Sequence, residues 1–206
     1  MADIIVIGAS GTIGSAVADL LVQEHKVIRA AFSHGDVTVD LRDPNSLEKL
    51  FQKTGIVDAV ICAAGNSRSG KPLDQVSEED FRFSINNKLM GQVNLVRAAM
   101  GHITDNGSIT LTSGVFATAP WPATTPTAMV NAALEGFVRA AALDLSKDIR
   151  INVVSPIFVT ETAQKLGMST DGTLSAAETA LAYKAALDGD MTGRVLDVRE
   201  YTGAHY

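Results

Sequence analysis

The sequence predicts an α/β fold built as one doubly wound layer, a mostly parallel sheet of seven strands with helices on both faces. Apolar runs of four to six residues alternate with longer segments of helical period, the pattern of strands buried on both faces and of the helices that cross between them. The 206 residues hold no Pro/Gly/Ser linker, low-complexity tract or fixed-period repeat, so residues 1–206 are expected to form a single domain.

In chain order, the apolar runs read as strands at Ile4–Ile7, Val27–Ala31, Val37–Val39, Val57–Cys62, Ser108–Thr112, Ile151–Val154 and Val195–Val198. Between them, segments of helical period run over Thr12–Gln23, Pro44–Lys53, Glu78–Met100, Ala128–Ser146 and Ala176–Leu187. Three irregular stretches, Asn66–Pro72, Gly114–Pro126 and Thr160–Gly172, each follow a strand. Ligands of open parallel sheets bind outside the carboxyl ends of the strands, so these loops are expected to form the site.

A net charge of -6 lacks the dense positive face of a protein that tracks a nucleic-acid backbone. No apolar run approaches the ~20 residues that span a bilayer. The chain opens directly into "DIIVIGAS" without the basic and apolar regions of an export signal, so a cytoplasmic location is expected. The single cysteine, Cys62, lies in an apolar run and reads as a buried structural thiol. His25, His34, His102 and His205 show no metal-ligand spacing, and no metal site is expected.

"VIGASGTIGSA" sets Gly8, Gly11 and Gly14 between a strand and a helix, the context in which a glycine triplet cradles a dinucleotide pyrophosphate. The turn Gly8–Ser10–Gly11–Thr12–Ile13–Gly14 then presents helix N–H groups to the anion. At the end of the second strand, "VIRAAFSHGD" has no carboxylate to accept from a ribose 2′-hydroxyl, which leans the reading to NADP(H) over NAD(H), with Ser33 and His34 as phosphate contacts. No arginine stands at the Phe32 position to pair with that phosphate. Asp40, followed by Leu41, ends the next strand, where it can accept from an adenine amino group or serve as an acidic turn residue.

Read together, these segments resemble the short-chain dehydrogenase/reductase family over nearly the whole chain. "GASGTIG" looks like its glycine turn, and "AVICAAG" like its NNAG strand, with Ala63, Ala64 and Gly65 beside the cofactor. "GSITLTSG" is similar to the strand leading to the catalytic serine, and "LEGFVRAAALDL" to the helix after the catalytic tyrosine. "IRINVVSP" resembles the strand before the nicotinamide loop, and "TGRVLDV" the closing strand. The resemblance implies a Rossmann-type domain that moves hydride between NAD(P)(H) and a carbonyl or alcohol, with Pro156, Ile157 and Val159 near the carboxamide. It also implies a homodimer or homotetramer joined through the helices that begin near Glu78 and Ala128.

The family's catalytic residues do not carry over. Aligned on "LEGF", Thr127 stands in the tyrosine slot and Asn131 in the slot of the lysine four residues later. The serine slot falls on Gly114, which leaves Ser113 as a substitute if the loop shifts by one residue, and the asparagine slot falls on Lys88. Lys88 is therefore expected either to send its ammonium into the space Asn131 leaves open or to be a solvated surface residue. Trp121 reads as a pocket wall or as packing, and Arg68 and Lys71 as contacts for an anionic substrate or as a solvated loop. Tyr183, Tyr201 and Tyr206 are the phenols outside the usual slot. The favoured expectation is an NADP(H)-dependent reductase acting on a carbonyl or an activated C=C or C=N bond of a small molecule. A non-redox isomerase, cyclase or dehydratase, or a dinucleotide-binding regulator without catalysis, are the alternatives.

Overall fold

The computed structural model describes residues 1–146 and 148–202. In those residues the strands β1 (Asp3–Ile7), β2 (Lys26–Ala31), β3 (Val37–Thr38), β4 (Val57–Cys62), β5 (Ile103–Thr112), β6 (Arg150–Ser155) and β7 (Val195–Asp197) form one sheet. Its order is β3-β2-β1-β4-β5-β6-β7, and every neighbouring pair is parallel. The helices are α1 (Thr12–Leu21), α2 (Pro44–Thr54), α3 (Glu78–Ser84), α4 (Met90–Ala99), α5 (Thr125–Asp144), α6 (Thr160–Lys165) and α7 (Ala176–Asp188).

The continuous apolar runs become strands because both sheet faces are covered, and alternate residues feed different cores. On one side, Ile5 and Ile7 of β1 meet Leu47, Leu50 and Phe51 of α2, Leu95 of α4 and Leu134 and Val138 of α5. On the other, Ile4 and Val6 meet Val17 and Leu21 of α1 and Ala180 and Tyr183 of α7. Small residues on α1 and α7 let these helices lie close to each other and to the sheet. Strand order reverses about β1 and β4, so the crevice at their carboxyl ends is the switch point where such sheets bind ligands.

Several boundaries differ from expectation, among them the start of β5, at Ile103 rather than Ser108. The predicted helix Glu78–Met100 is broken by a wider turn at Ile85–Leu89, closed by the Met90 N–H donating to the Ile85 carbonyl five residues back. Such a turn inserts one residue and rotates the side chains around it, a feature frequent at functional sites. α5 begins at Thr125 rather than Ala128, since Pro126 falls in the first turn, where its missing N–H costs nothing. The predicted irregular stretch Thr160–Gly172 contains the short α6, whose Glu161 carboxylate accepts the Ala176 N–H at the start of α7. Among the described residues, no helix is long and apolar enough to cross a membrane.

Candidate active site

A cleft of about 650 Å³ runs along the carboxyl ends of β1, β2 and β4. Its floor is the glycine turn. Gly8 adopts φ +86°, and a Cβ there would stand 2.8 Å from the Ala63 carbonyl oxygen. At Gly14 a Cβ would fall 2.1 Å from the Gly8 carbonyl oxygen, so helix and turn close on each other only because both positions are glycine. α1 has no side-chain cap and no acidic residue in its first turn, which leaves its N-terminal N–H groups and partial positive charge for an anion. Gly8, Ser10 and Gly11 line the cleft. Thr12 turns instead toward α6, with its Oγ1 3.4 Å from Lys165 Nζ. That lysine is an ammonium beside the glycine turn that the sequence reading did not single out.

At the far end the cleft is walled by Ala31, Phe32, Asp40, Leu41 and Arg42. Ser33 and His34 are exposed and do not line it, because the chain turns away after Phe32. Arg42 stands on that wall instead. Its guanidinium grips Asp40 through Nε–Oδ1 at 2.9 Å and Nη2–Oδ2 at 2.7 Å and lies over the Phe32 ring, 5.8 Å from its centroid. The hydrogen bonds from Arg42 hold the Asp40 carboxyl below its usual range. Parallel pairing of β3 beside β2 brings the end of "VDLRD" to this edge, and that lateral adjacency was the missing signal.

Ala63, Ala64 and Gly65 are shared with a second pocket of about 280 Å³, into which Ile13, Lys88, Thr127, Asn131, Ile157 and Val159 also face. Lys88 is partly buried, and its Nζ donates to the Ser113 carbonyl at 2.7 Å. Burial lowers its ammonium from the ordinary 10.5 to about 8. Asn131, 2% exposed, donates from Nδ2 to the Gly114 carbonyl at 3.2 Å, while its Oδ1 is buried without a partner. Thr127 Oγ1 donates to the Arg68 carbonyl and accepts from Ser67 Oγ.

Ser113 enters this pocket through its carbonyl. Its hydroxyl donates to the buried Glu135 of α5 at 3.2 Å, whereas the hydroxyl of Thr112 is bonded to Tyr183 of α7 on the opposite face. The Ser113 hydroxyl thus lies on the α5 side of the sheet, taken up by Glu135 one turn beyond Asn131. A Cβ at Gly114 would stand 2.9 Å from Asn131 Nδ2, so a serine in that slot would have to displace the Asn131 amide.

A family model described as enoyl-(acyl carrier protein) reductase matches residues 5–195. The chain belongs to the short-chain dehydrogenase/reductase family. Among solved structures it is similar to the protein lin1944 from Listeria innocua, with 37% identity, a TM-score of 0.91, and 96% of this chain and 100% of that one covered. A small-chain dehydrogenase crystallised with NADPH is 28% identical, with a TM-score of 0.84 and 95% of each chain covered. Among curated relatives, the short-chain dehydrogenase/reductase ucsE of an Acremonium species is 35% identical over 102 residues, 48% of this chain and 38% of that protein. The chain spans about half or less of the length of the first curated relatives it matches.

In this short-chain dehydrogenase/reductase the remaining residues of interest sort by position. Phe116 and Phe158 line the inner pocket. Trp121, 49% exposed, stacks on Phe158 at 5.3 Å and so backs that wall. Tyr183 is fully buried, and burial pushes its phenol above the usual range. Cys62 is likewise buried, its thiol pushed up to about 12. His102 stacks on Phe51 and its carbonyl accepts the N–H of Val57, which opens β4, placing it at the amino edge of the sheet, away from the site. Tyr201 lies beyond β7 and lines neither pocket; His205 and Tyr206 lie outside the described residues.

Proposed function

We propose that this protein is an NADP(H)-dependent oxidoreductase that reduces a carbonyl or an activated C=C or C=N bond of a small molecule, with Lys88 in place of the usual proton-transferring phenol. The observation that carries the reading is the continuity of the two pockets through Ala63, Ala64 and Gly65. It joins a pyrophosphate cradle to a chamber holding one titratable side chain, Lys88.

The residues present fit such a cofactor. The turn Gly8–Gly11 and the uncapped start of α1 suit the pyrophosphate, and Arg42, whose Nη1 lies outside its bonds to Asp40, offers with Phe32 a charged donor to an adenosine 2′-phosphate. The orphaned Asn131 Oδ1 suits a ribose hydroxyl, which would supply the missing hydrogen-bond donor. When bound, the nicotinamide supplies or accepts the hydride.

The protein's own part is orientation and proton transfer. The Ser113 carbonyl fixes the Lys88 ammonium, and an ammonium near 8 is mostly charged at neutral pH yet acidic enough to give its proton to an oxygen developing negative charge. Phe116 and Phe158 give the same chamber an apolar wall, which strengthens that interaction. In the reducing direction the rate should fall as pH rises through about 8, because the acid form of Lys88 is lost. Lys88→Met should lower turnover about 100-fold or more and remove that limb of the profile. Undiminished turnover by Lys88→Met, or a wild-type profile flat across that range, would refute the role of Lys88. Failure of the wild type to bind NADPH or NADH in a fluorescence titration would refute the oxidoreductase reading itself.

A further inference from the structure

Beside the chamber of Lys88 lies another cleft of about 490 Å³, lined by Ser67, Arg68, Ser69, Lys71, Asp80 and Pro126 among others. Thr127 connects the two, since it lines the chamber and its hydroxyl is bonded to Ser67 Oγ at 2.9 Å and to the Arg68 carbonyl at 3.2 Å. The Gly70 N–H, donating to Ala123 at 2.7 Å, ties this loop to the segment that carries Trp121.

Charge in the cleft is arranged around one buried carboxylate. Asp80, its side chain 4% exposed, accepts Arg68 Nη1 at 2.9 Å on Oδ1 and Lys71 Nζ at 2.8 Å on Oδ2. The Ser77 N–H and hydroxyl also donate to Oδ2. Lys71, Arg68 and Ser77 together hold this carboxyl far below its usual range, so it stays ionised and fully engaged. Two cations thus share one buried anion while remaining 42% and 52% exposed themselves. Glu79, the other carboxylate in reach, is 80% exposed and 3.4 Å from the guanidinium, where solvent screens it.

Phe83 supports the guanidinium at 4.4 Å. Arg68 Nε and Nη2 and two of the three Lys71 protons lie outside these bonds, held in place by side chains whose positions are already fixed. A pre-oriented guanidinium and ammonium with donors to spare form a receptor for a carboxylate, set into a protein of net charge -6.

We propose that this cleft binds the carboxylate of the substrate, so that the reducible bond reaches the chamber of Lys88 and the substrate class is a small oxo acid or enoic acid. The substrate assignment rests on the oxidoreductase reading, whereas carboxylate binding does not require turnover. The probes are levulinate and 4-carboxybenzaldehyde with their methyl esters, titrated calorimetrically into the protein with NADP⁺ and assayed separately for NADPH consumption. At low salt each acid should bind about tenfold more tightly than its ester, the scale of one charge-assisted hydrogen-bonded contact, and added salt should narrow the gap.

Lys71→Gln should bring the acids down to the level of the esters. It leaves Asp80 its bonds to Arg68 and Ser77, so an unchanged melting temperature separates lost binding from lost folding. Acids binding no better than esters to the wild type, or an acid preference that survives in Lys71→Gln, would overturn the proposal. An acid preference without NADPH consumption would keep this site and sink the oxidoreductase reading. Consumption of NADPH with acids and esters alike would do the reverse.

Discussion

Replacing Lys88 by methionine should change how stability depends on pH. Burial lowers the Lys88 ammonium from 10.5 to about 8, while the unfolded chain keeps the ordinary value. Below about 8 both states are protonated and the folded state bears the full penalty of an enclosed charge. Between about 8 and 10.5 the unfolded chain holds a proton that the folded chain has released, so wild-type stability rises with pH relative to a protein without this group. Each pH unit is worth about 1.4 kcal/mol, and the whole window therefore amounts to roughly 3 kcal/mol.

Methionine keeps the unbranched stem and removes the charge. It also leaves the Ser113 carbonyl without its donor, a loss of about 1–3 kcal/mol. That term does not vary with pH, because the neutral amine still donates, so it shifts the two stability curves without altering their difference in slope. Urea unfolding of wild type and Lys88→Met at a series of pH values from neutral to about 10 should show the wild type gaining on the variant by roughly 3 kcal/mol. Parallel curves would mean that the ammonium is not enclosed, and the acid role assigned to Lys88 would lose its physical basis.

Arg42→Gln should weaken NADPH binding about tenfold to a hundredfold, the range for a lost charge-assisted contact, and leave NADH nearly unaffected; equal losses for the two cofactors would refute its pairing with the 2′-phosphate. Gly14→Ala forces a methyl group onto the Gly8 carbonyl oxygen and should cost at least about 3 kcal/mol, seen as a melting temperature lower by roughly 6–12 °C together with loss of cofactor binding. An alanine variant of normal stability would show that α1 and the glycine turn are not in contact.

The parts of the fold that were legible are those whose cause is local. β1 and β4 are apolar on both faces because both are covered, and "IIVI" and "VDAVIC" show it directly. The glycine turn was legible because steric exclusion at Gly8 and Gly14 leaves one residue type. What escaped depends on neighbours that sequence does not order. Arg42 reaches the far end of the cleft only because β3 lies beside β2. The wider turn at Ile85–Leu89 adds one residue to a helix of unchanged composition, and the phase of Lys88 depends on it. For Ser113, alternation along β5 sends the hydroxyl to Glu135, a direction that a motif alignment uncertain by one residue cannot fix.

Lys88 and Asn131 occupy slots that the resemblance assigns in the opposite sense, asparagine on the earlier helix and lysine on α5. In the structure they serve successive carbonyls, Lys88 that of Ser113 and Asn131 that of Gly114. The chamber thus holds one ammonium and one amide, each from a different helix. This makes the pair exchangeable in a way that neither residue is alone. Asn131→Lys by itself would put two ammonium groups in one enclosed space, where like charge and desolvation both oppose ionisation. Lys88→Asn by itself would leave the Ser113 carbonyl beyond the reach of a shorter side chain. The double exchange restores one charge and conserves volume, a class of core change that is tolerated best. Urea unfolding of the four proteins should give a favourable coupling of at least about 1 kcal/mol, because residues that share partners are not additive. Additivity within roughly 0.5 kcal/mol would mean that the two side chains do not share a chamber, and the proton-transfer role of Lys88 would then have to be sought without Asn131.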